Sequence, residues 1–268
     1  MCASTNVDAE LNDLMLYARK VAEASPELAK SVHFNTRIGA YQYVLLAEEI
    51  SRAIGPGRTT VATDGSQSRG RVLDWGAGFG QNTRLMTDRG LEVHSFDVRK
   101  EYAGFLPWLI GDGSLRYTLG KDNGPLPYDD GFFDGLLSCG VLEHVSDETF
   151  ALAEIRRVLR PKGFFFIAHL PNRLSFTEFL ARLLGQYHHE RLYSARSLRS
   201  VLDESGFELR FIKRYHFLPR IKIGKVPGMG NAIDRLYQIF EALDGLLSSI
   251  PPFMYFSTAW KAVAIRRD

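Results

Sequence analysis

The stretch VLDWGAGFG, residues 72–80, decides how the chain folds. A short apolar run enters three glycines, Gly76, Gly78 and Gly80, and the next helix is expected to start near Gln81–Thr83. Glycine at these positions lets the chain turn tightly and lets a ligand approach the backbone. The dinucleotide fingerprint G-x-G-x-x-G places its third glycine three residues after the second. That position holds Gln81, and an acid, Asp74, stands two residues before the first glycine. Both features disfavour a pyrophosphate. They favour a ligand with an amino-acid end, whose ammonium a carboxylate and backbone carbonyls can hold. Asp97 closes the next apolar run, LEVHSFD, 23 residues after Asp74. An ionised carboxylate there can accept from two ribose hydroxyls. Dinucleotide sites use the same device, so Asp97 alone does not separate the two ligands. The plain alternatives are an ordinary tight turn for the glycines and a strand-end or cap role for Asp97.

Outward from this loop, strand-like runs alternate with helical ones. RVLDW (71–75), LEVHSFD (91–97), LRYTL (115–119), FFDGLLSCGV (132–141) and GFFFIAHL (163–170) read as strands. Residues 147–159 carry Leu152, Ile155, Val158 and Leu159 on one helical face, with Pro161-Lys162-Gly163 as the stop. Residues 194–204 read as a helix, and 207–215 and 258–267 as strands. Residues 231–248 read as an amphipathic helix with Ile233, Leu236, Tyr237, Phe240, Leu243 and Leu247 on one stripe. The alternation implies an α/β fold with a mostly parallel sheet, whose ligands bind outside the strand C-termini. Before it, residues 8–53 read as two helices broken at Ser25-Pro26. Leu11, Leu14, Met15, Ala18, Val21 and Ala22 face inward on the first, and Tyr41, Val44, Leu45, Glu48 and Ile54 mark the second. The organisation expected is a helical cap (1–54), a Gly/Ser/Thr-rich linker (55–70) and a core (71–268) with an insertion at about 173–257.

The composition, 45% hydrophobic and 24% charged over 268 residues, excludes a disordered or fibrous chain. Two cysteines, Cys2 and Cys139, exclude a disulfide framework and a cysteine-rich zinc site. MCASTNVDAELNDLM lacks a basic start and an apolar run, and the run Phe164–Ala168 is far short of the ~20 residues that span a bilayer. A cytoplasmic protein is expected.

Four ordered stretches carry a family resemblance: VLDWGAGFG, HSFDV, PLPYDDGFFDGLLSCGVLEHV and EIRRVLRPKGFFFIAHLPN. They resemble the class I S-adenosylmethionine-dependent methyltransferases, and most closely their small-molecule branch with the ubiquinone- and menaquinone-biosynthesis (type 11) enzymes. The resemblance covers about residues 71–172. It implies a Rossmann-like three-layer sandwich, seven strands with one antiparallel, and S-adenosyl-L-methionine as cofactor. By the same resemblance Asp74, Gly76, Ala77 and Gly78 hold the methionine end. Asp97 binds the ribose, Val98 lies beside the adenine, and Ser138 to Val141 line the cofactor. The acid that meets the adenine amino group is assigned to Asp122, with Asp112 as runner-up, because Lys121 stands at the usual position. Ubiquinone-type enzymes can bind a metal near Glu143-His144 through an upstream glutamate. Gly140 stands there in this chain, so no metal is expected, and Glu143 and His144 can equally brace the next helix.

The sulfonium methyl is already activated, so the protein mainly aligns an acceptor with it and excludes water. An oxygen acceptor also needs its proton removed. The candidate bases, in order, are His189, His169 and His144. His169 ends GFFFIAHL, and His189 lies in the run His188-His189-Glu190-Arg191. Each can also be merely structural. The acceptor expected is a small molecule or a lipid- or glycan-linked intermediate, with oxygen ahead of carbon and nitrogen. Two other readings compete: an NAD-binding oxidoreductase on a related sheet, and a cofactor-binding scaffold without catalysis.

The net charge of +2 conceals segregation. Residues 121–154 hold eight acids and one lysine, whereas 209–233 hold six basic residues and no acid. The basic run, interleaved with Phe211, Ile212, Phe217, Leu218, Ile221 and Ile223, is either a solvated strand and loop or a surface for anionic lipid or a phosphorylated acceptor. Peripheral attachment to the inner face of a membrane follows from the second reading. No nucleic-acid partner is expected, because the chain has no long basic tract.

Overall fold

Each apolar run flanking the glycine loop becomes a strand of one sheet. The computed structural model describes residues 7–55, 69–110, 116–186, 189, 191–218 and 235–268. The strands are β1 (Arg71–Trp75), β2 (Glu92–Asp97), β3 (Tyr117–Leu119), β4 (Phe133–Cys139), β5 (Leu159–Pro171), β6 (Phe207–Tyr215) and β7 (Ala259–Arg266). Their order is β3-β2-β1-β4-β5-β7-β6, and β7 runs antiparallel to both its neighbours. Strand order departs in opposite directions from β1 and β4, so the crevice at their C-terminal ends is the switch point where such sheets bind ligands.

Helices cover both faces: α1 (Val7–Ala24), α2 (Arg37–Ile54), α3 (Gln81–Asp88), α4 (Lys100–Ala103), α5 (Leu106–Ile110), α6 (Glu148–Val158), α7 (Phe176–Leu183), α8 (Ala195–Glu204) and α9 (Tyr237–Leu247). Alternation along β4 and β5 divides the core. Leu137 and Phe166 pack with Leu11, Ile50 and Met86 on one face, while Leu136 and Phe165 pack with Leu152, Ile155, Leu198 and Leu202 on the other. The N-terminal helices therefore share a core with the sheet. They also hold the glycine loop. The Tyr17 hydroxyl lies 2.9 Å from the Phe79 carbonyl and 3.0 Å from that of Phe105, and burial raises its pKa so that it stays a donor. Arg89, at the end of α3, forks onto both carboxylate oxygens of Glu10 at 2.8 and 3.0 Å.

Three local expectations need correction. Pro161-Lys162-Gly163 does not separate helix from strand: α6 ends at Val158, and Leu159 already pairs with Phe133. The next pair is Phe164 with Gly135, so residues 160–163 bulge out of the ladder around Lys162 at φ +62°. The stripe assigned to residues 231–248 is rotated in α9. Leu236 and Leu243 are 54% and 50% exposed, while Tyr237, Phe240 and Asp244 face inward. The cause is polar: the Asp244 carboxylate accepts the Leu218 N–H at 2.7 Å and draws that face to the protein. The second helix expected from Tyr41, Val44, Leu45, Glu48 and Ile54 is α2, on which Leu45 is exposed and Ile50 is buried. Most of the linker (56–68) and Ile233 lie outside the described residues.

Tyr17→Phe removes the hydroxyl proton shared by Phe79 and Phe105. The expected loss is about 1 kcal/mol of unfolding free energy with an unchanged urea slope. An unchanged denaturation midpoint would show that α1 does not brace the loop.

Candidate active site

The glycine loop is left-handed at all three glycines, with φ of +75° at Gly76, +54° at Gly78 and +82° at Gly80. Gly80 starts α3 as its N-cap. A Cβ on Gly76 would lie 2.3 Å from Val141 Cγ2, so this glycine lets the loops after β1 and β4 touch. A Cβ on Gly78 would meet nothing within 4 Å, because this residue faces the open crevice. The Gly76 and Ala77 N–H groups both donate to the Phe96 carbonyl, at 2.8 and 3.0 Å. The Gly78 N–H donates to Asp97 Oδ2 at 2.8 Å, and Asp97 Oδ1 accepts the Arg99 N–H at 2.8 Å. A carboxylate has about four lone-pair sites, so two remain for ribose hydroxyls.

Asp74 is buried at the end of β1. Its Oδ2 accepts from Thr83 Oγ1 at 2.6 Å, while Oδ1 has no hydrogen-bond partner among the described residues. Burial pushes its pKa up to about 7. Ser138 Oγ on adjacent β4, and Gln81 Oε1 and Asn82 Oδ1 at the start of α3, are buried and unpartnered in the same way. Unsatisfied buried polar atoms are costly and uncommon, so this cluster calls for a polar ligand. An ammonium would satisfy Asp74 Oδ1 and hold the carboxyl ionised. The amino-acid end of S-adenosylmethionine fits that requirement. Val98 follows Asp97 and is exposed. Asp122 is exposed and accepts from Ser146 Oγ, which ties it to the loop before α6. Asp112 lies outside the described residues.

The three candidate histidines gather around Gly140, at the end of β4. A Cβ on Gly140 would lie 3.8 Å from both Glu143 Oε1 and His169 Cβ. Glu143 Oε1 is 3.9 Å from His144 Nε2, and the His144 and His189 rings lie 5.4 Å apart. Glu143, His144 and His189 each offer a ligand-type atom, and these lie within 4.8 Å of one another. Burial raises the Glu143 pKa to about 7 and lowers that of His144. Glu143 and His144 form a short 3-10 turn and do not cap the next helix, which Asp147 caps by accepting the Phe150 N–H at 2.9 Å.

His189 is held hardest. Glu178, buried on α7, accepts the His189 backbone N–H at 2.9 Å and faces its Nδ1 at 2.8 Å. This hydrogen bond raises the His189 pKa. An ionised carboxylate only accepts, so Nδ1 carries the proton and Nε2 is the nitrogen that can take one. His169 sits at φ +56°, donates its backbone N–H to Tyr215 Oη at 2.7 Å, and lies against the rings of Tyr43, Tyr215 and His216 at 5.2–5.8 Å. His216 is also left-handed, at φ +62°. Left-handed backbone at a non-glycine residue costs of order 1–3 kcal/mol and clusters at functional sites. His188 and Glu190 lie outside the described residues.

Glu178, Tyr43, Tyr215 and His216 complete the site and were not singled out in the sequence. Glu178 stands three residues after Ser175, which caps α7, and so reads as an ordinary helix-start acid. Part of the charge segregation is consumed by packing. Arg157 pairs with Glu154 and Asp130, Arg160 with Asp134, and Arg214 lies over the Trp260 ring at 4.2 Å. Arg220, Lys222 and Lys225 lie outside the described residues.

The two glycines should fail differently. Gly76→Ala drives a methyl into Val141, and a stability loss of about 1–3 kcal/mol is expected. Gly78→Ala meets no neighbouring atom and carries only the left-handed backbone cost of about 1–2 kcal/mol, yet should weaken S-adenosylhomocysteine binding at least about tenfold by calorimetry. Equal cofactor affinity in Gly78→Ala and wild type would remove Gly78 from the ligand path.

Comparison with known proteins agrees with this geometry. A family model described as a methyltransferase domain matches residues 73–167. A demethylmenaquinone methyltransferase of Renibacterium salmoninarum is 30% identical over 169 residues, covering 56% of this chain and 67% of that protein. An O-methyltransferase of Aspergillus sclerotiorum is 30% identical over 156 residues, covering 54% and 57%. The chain spans between about half and two thirds of the length of these curated relatives. In the solved complex between the Haloferax volcanii Trm112 methyltransferase activator and a methyltransferase, one chain superposes with a TM-score of 0.57 at 15% identity. That match covers 99% of this chain and 100% of the other, and shows the shared fold. With these matches, its glycine loop and its sheet order, the chain belongs to the class I S-adenosylmethionine-dependent methyltransferases.

Proposed function

We propose that the chain methylates an oxygen of a small-molecule or lipid- or glycan-linked acceptor, with His189 as general base. The carrying observation is the Glu178–His189 pair, which fixes Nδ1 as donor on a histidine that lies beside Glu143 and His144. When bound, S-adenosylmethionine supplies a methyl group already activated by its sulfonium. Asp74 would hold the ammonium, Asp97 the ribose, and Ser138 would line the cofactor. Asp122, tied to Ser146, is kept as the acid nearest the adenine in sequence. His189 Nε2 would take the proton of the acceptor O–H; the bond that breaks is the cofactor's methyl–sulfur bond, and S-adenosylhomocysteine would be the leaving group. Glu178 keeps the ring oriented and stabilises the imidazolium that results. His169 and His144 line the acceptor side, where Gly140 leaves room between β4 and β5. The curated relatives named as O-methyltransferase and demethylmenaquinone methyltransferase support an organic acceptor. Peripheral membrane attachment belongs to the same proposal.

The test is transfer of labelled methyl to a panel of catechols, hydroxyquinols, sugars and lipid-linked alcohols. His189→Gln should lower kcat by about 10²–10⁴-fold with S-adenosylhomocysteine affinity unchanged. The pH profile gives an independent check. Glu178 raises the His189 pKa from its ordinary 6.5, so the base form appears, and kcat rises, through a midpoint above that value. Glu178→Gln should move the midpoint down. Turnover should be insensitive to EDTA. Wild-type turnover in His189→Gln, His169→Ala and His144→Ala would refute histidine catalysis.

A further inference from the structure

Two helices beside the candidate site each bury an acid, Glu178 and Asp244, and turn apolar side chains outward. On α7, Phe176, Phe179 and Leu183 form one stripe, with Phe179 64% and Leu183 70% exposed, while Glu178 points inward to His189. On α9, Ile239, Leu243 and Leu246 form another, with Ile239 57% exposed, while Asp244 is buried against the Leu218 N–H. A 3-10 turn, Phe253–Phe256, links the two. Asn172, just before α7, donates through Nδ2 to the carbonyls of Tyr255 (3.0 Å) and Ser257 (2.7 Å). Phe253 packs at 5.3 Å on Phe217, next to the Leu218 that α9 holds. Phe253 and Phe256 are themselves exposed. Exposed apolar side chains grouped on neighbouring elements in this way mark an interaction site.

Charge selects the occupant. Along residues 173–186 and 235–256, Arg173, Arg182 and Arg235 are exposed, Glu178 and Asp244 are buried, and Glu241 alone among the acids is half-buried. A second copy laid over this patch would set three exposed arginines against three, with only the half-buried Glu241 to pair them. An anionic lipid surface satisfies both features, with apolar side chains at the acyl boundary and arginines among the headgroups.

We propose that α7, α9 and the Phe253–Phe256 turn form the face by which this protein docks on an anionic bilayer. The proposal deepens the peripheral-attachment reading given above. Its consequence is positional. The inner side of α7 holds His189 through Glu178, and a helix is about 10 Å across. Docking therefore sets the candidate base about one helix diameter from the headgroups, within reach of an acceptor dissolved in the membrane.

The test is flotation of the full chain with vesicles of phosphatidylcholine alone or with phosphatidylglycerol at one part in four. Wild type should float with the anionic vesicles, and 0.5 M NaCl should weaken the binding. Phe179→Ser/Leu183→Ser and Ile239→Ser/Leu246→Ser should each cut binding at least tenfold while S-adenosylhomocysteine affinity stays at the wild-type value. Arg173→Glu/Arg182→Glu, which alters only exposed cations, gives the same readout without touching an apolar contact. Absence from both vesicles, equal binding to both, or full binding by the variants would overturn the proposal. So would a dimer in light scattering that the serine variants dissociate. Methyl transfer to a soluble acceptor would survive any of these failures, so the docking face and the catalytic reading stand or fall separately.

Discussion

The Gly78 N–H reaches across from the loop after β1 to the Asp97 carboxylate at the end of β2, at 2.8 Å, and the rest of the site is arranged around that bond. A hydrogen bond to an ionised acceptor is among the stronger ones available. It holds a run of left-handed glycines whose other anchor is Phe79, packed against Phe34, Tyr102 and Phe105. The Arg99 N–H fixes the other oxygen of the same carboxylate. From the far side, Tyr17 of α1 holds the carbonyl of Phe79 in the same loop. The crevice is therefore built before any ligand arrives, which lowers the ordering cost of binding.

Two buried acids flank this crevice and serve different ends. Asp74 and Glu143 are both desolvated, with pKa values raised to about 7, and each has one oxygen unpartnered among the described residues. Asp74 lies beside Thr83, Ser138 and the start of α3, where a cationic ligand group would complete it. Glu143 lies beside His144 and His189, where proton movement would. The third acid, Glu178, is already paired, and it spends that pairing on orienting one imidazole. Gly76 joins the two halves, because its missing side chain lets Val141 and the turn that follows approach the cofactor loop.

Much of this was legible in the sequence. The glycine spacing, Asp74 and Asp97 located the crevice, and the apolar runs located the strands, because both depend on contacts close along the chain. What stayed hidden depends on contacts made between distant segments. Glu178 looked like a helix-start acid, since only the fold brings His189 back against it 11 residues later. The α9 stripe was misplaced because Asp244 overrides the apolar pattern through a bond to Leu218. The acidic run read as a field, yet Arg157 and Arg160 pair with three of its eight acids. Periodicity does not register a polar anchor, and composition does not register pairing.

The central claim is that the β1/β4 crevice takes S-adenosylmethionine through the carboxylate that shapes the glycine loop. Isothermal calorimetry of wild type and Asp97→Ala with S-adenosylhomocysteine and with NAD tests it most directly. The account predicts saturable S-adenosylhomocysteine binding by wild type, loss of at least about 2 kcal/mol of that binding in Asp97→Ala with a retained fold, and no heat with NAD. Saturable NAD binding, or S-adenosylhomocysteine affinity indifferent to Asp97, would contradict it.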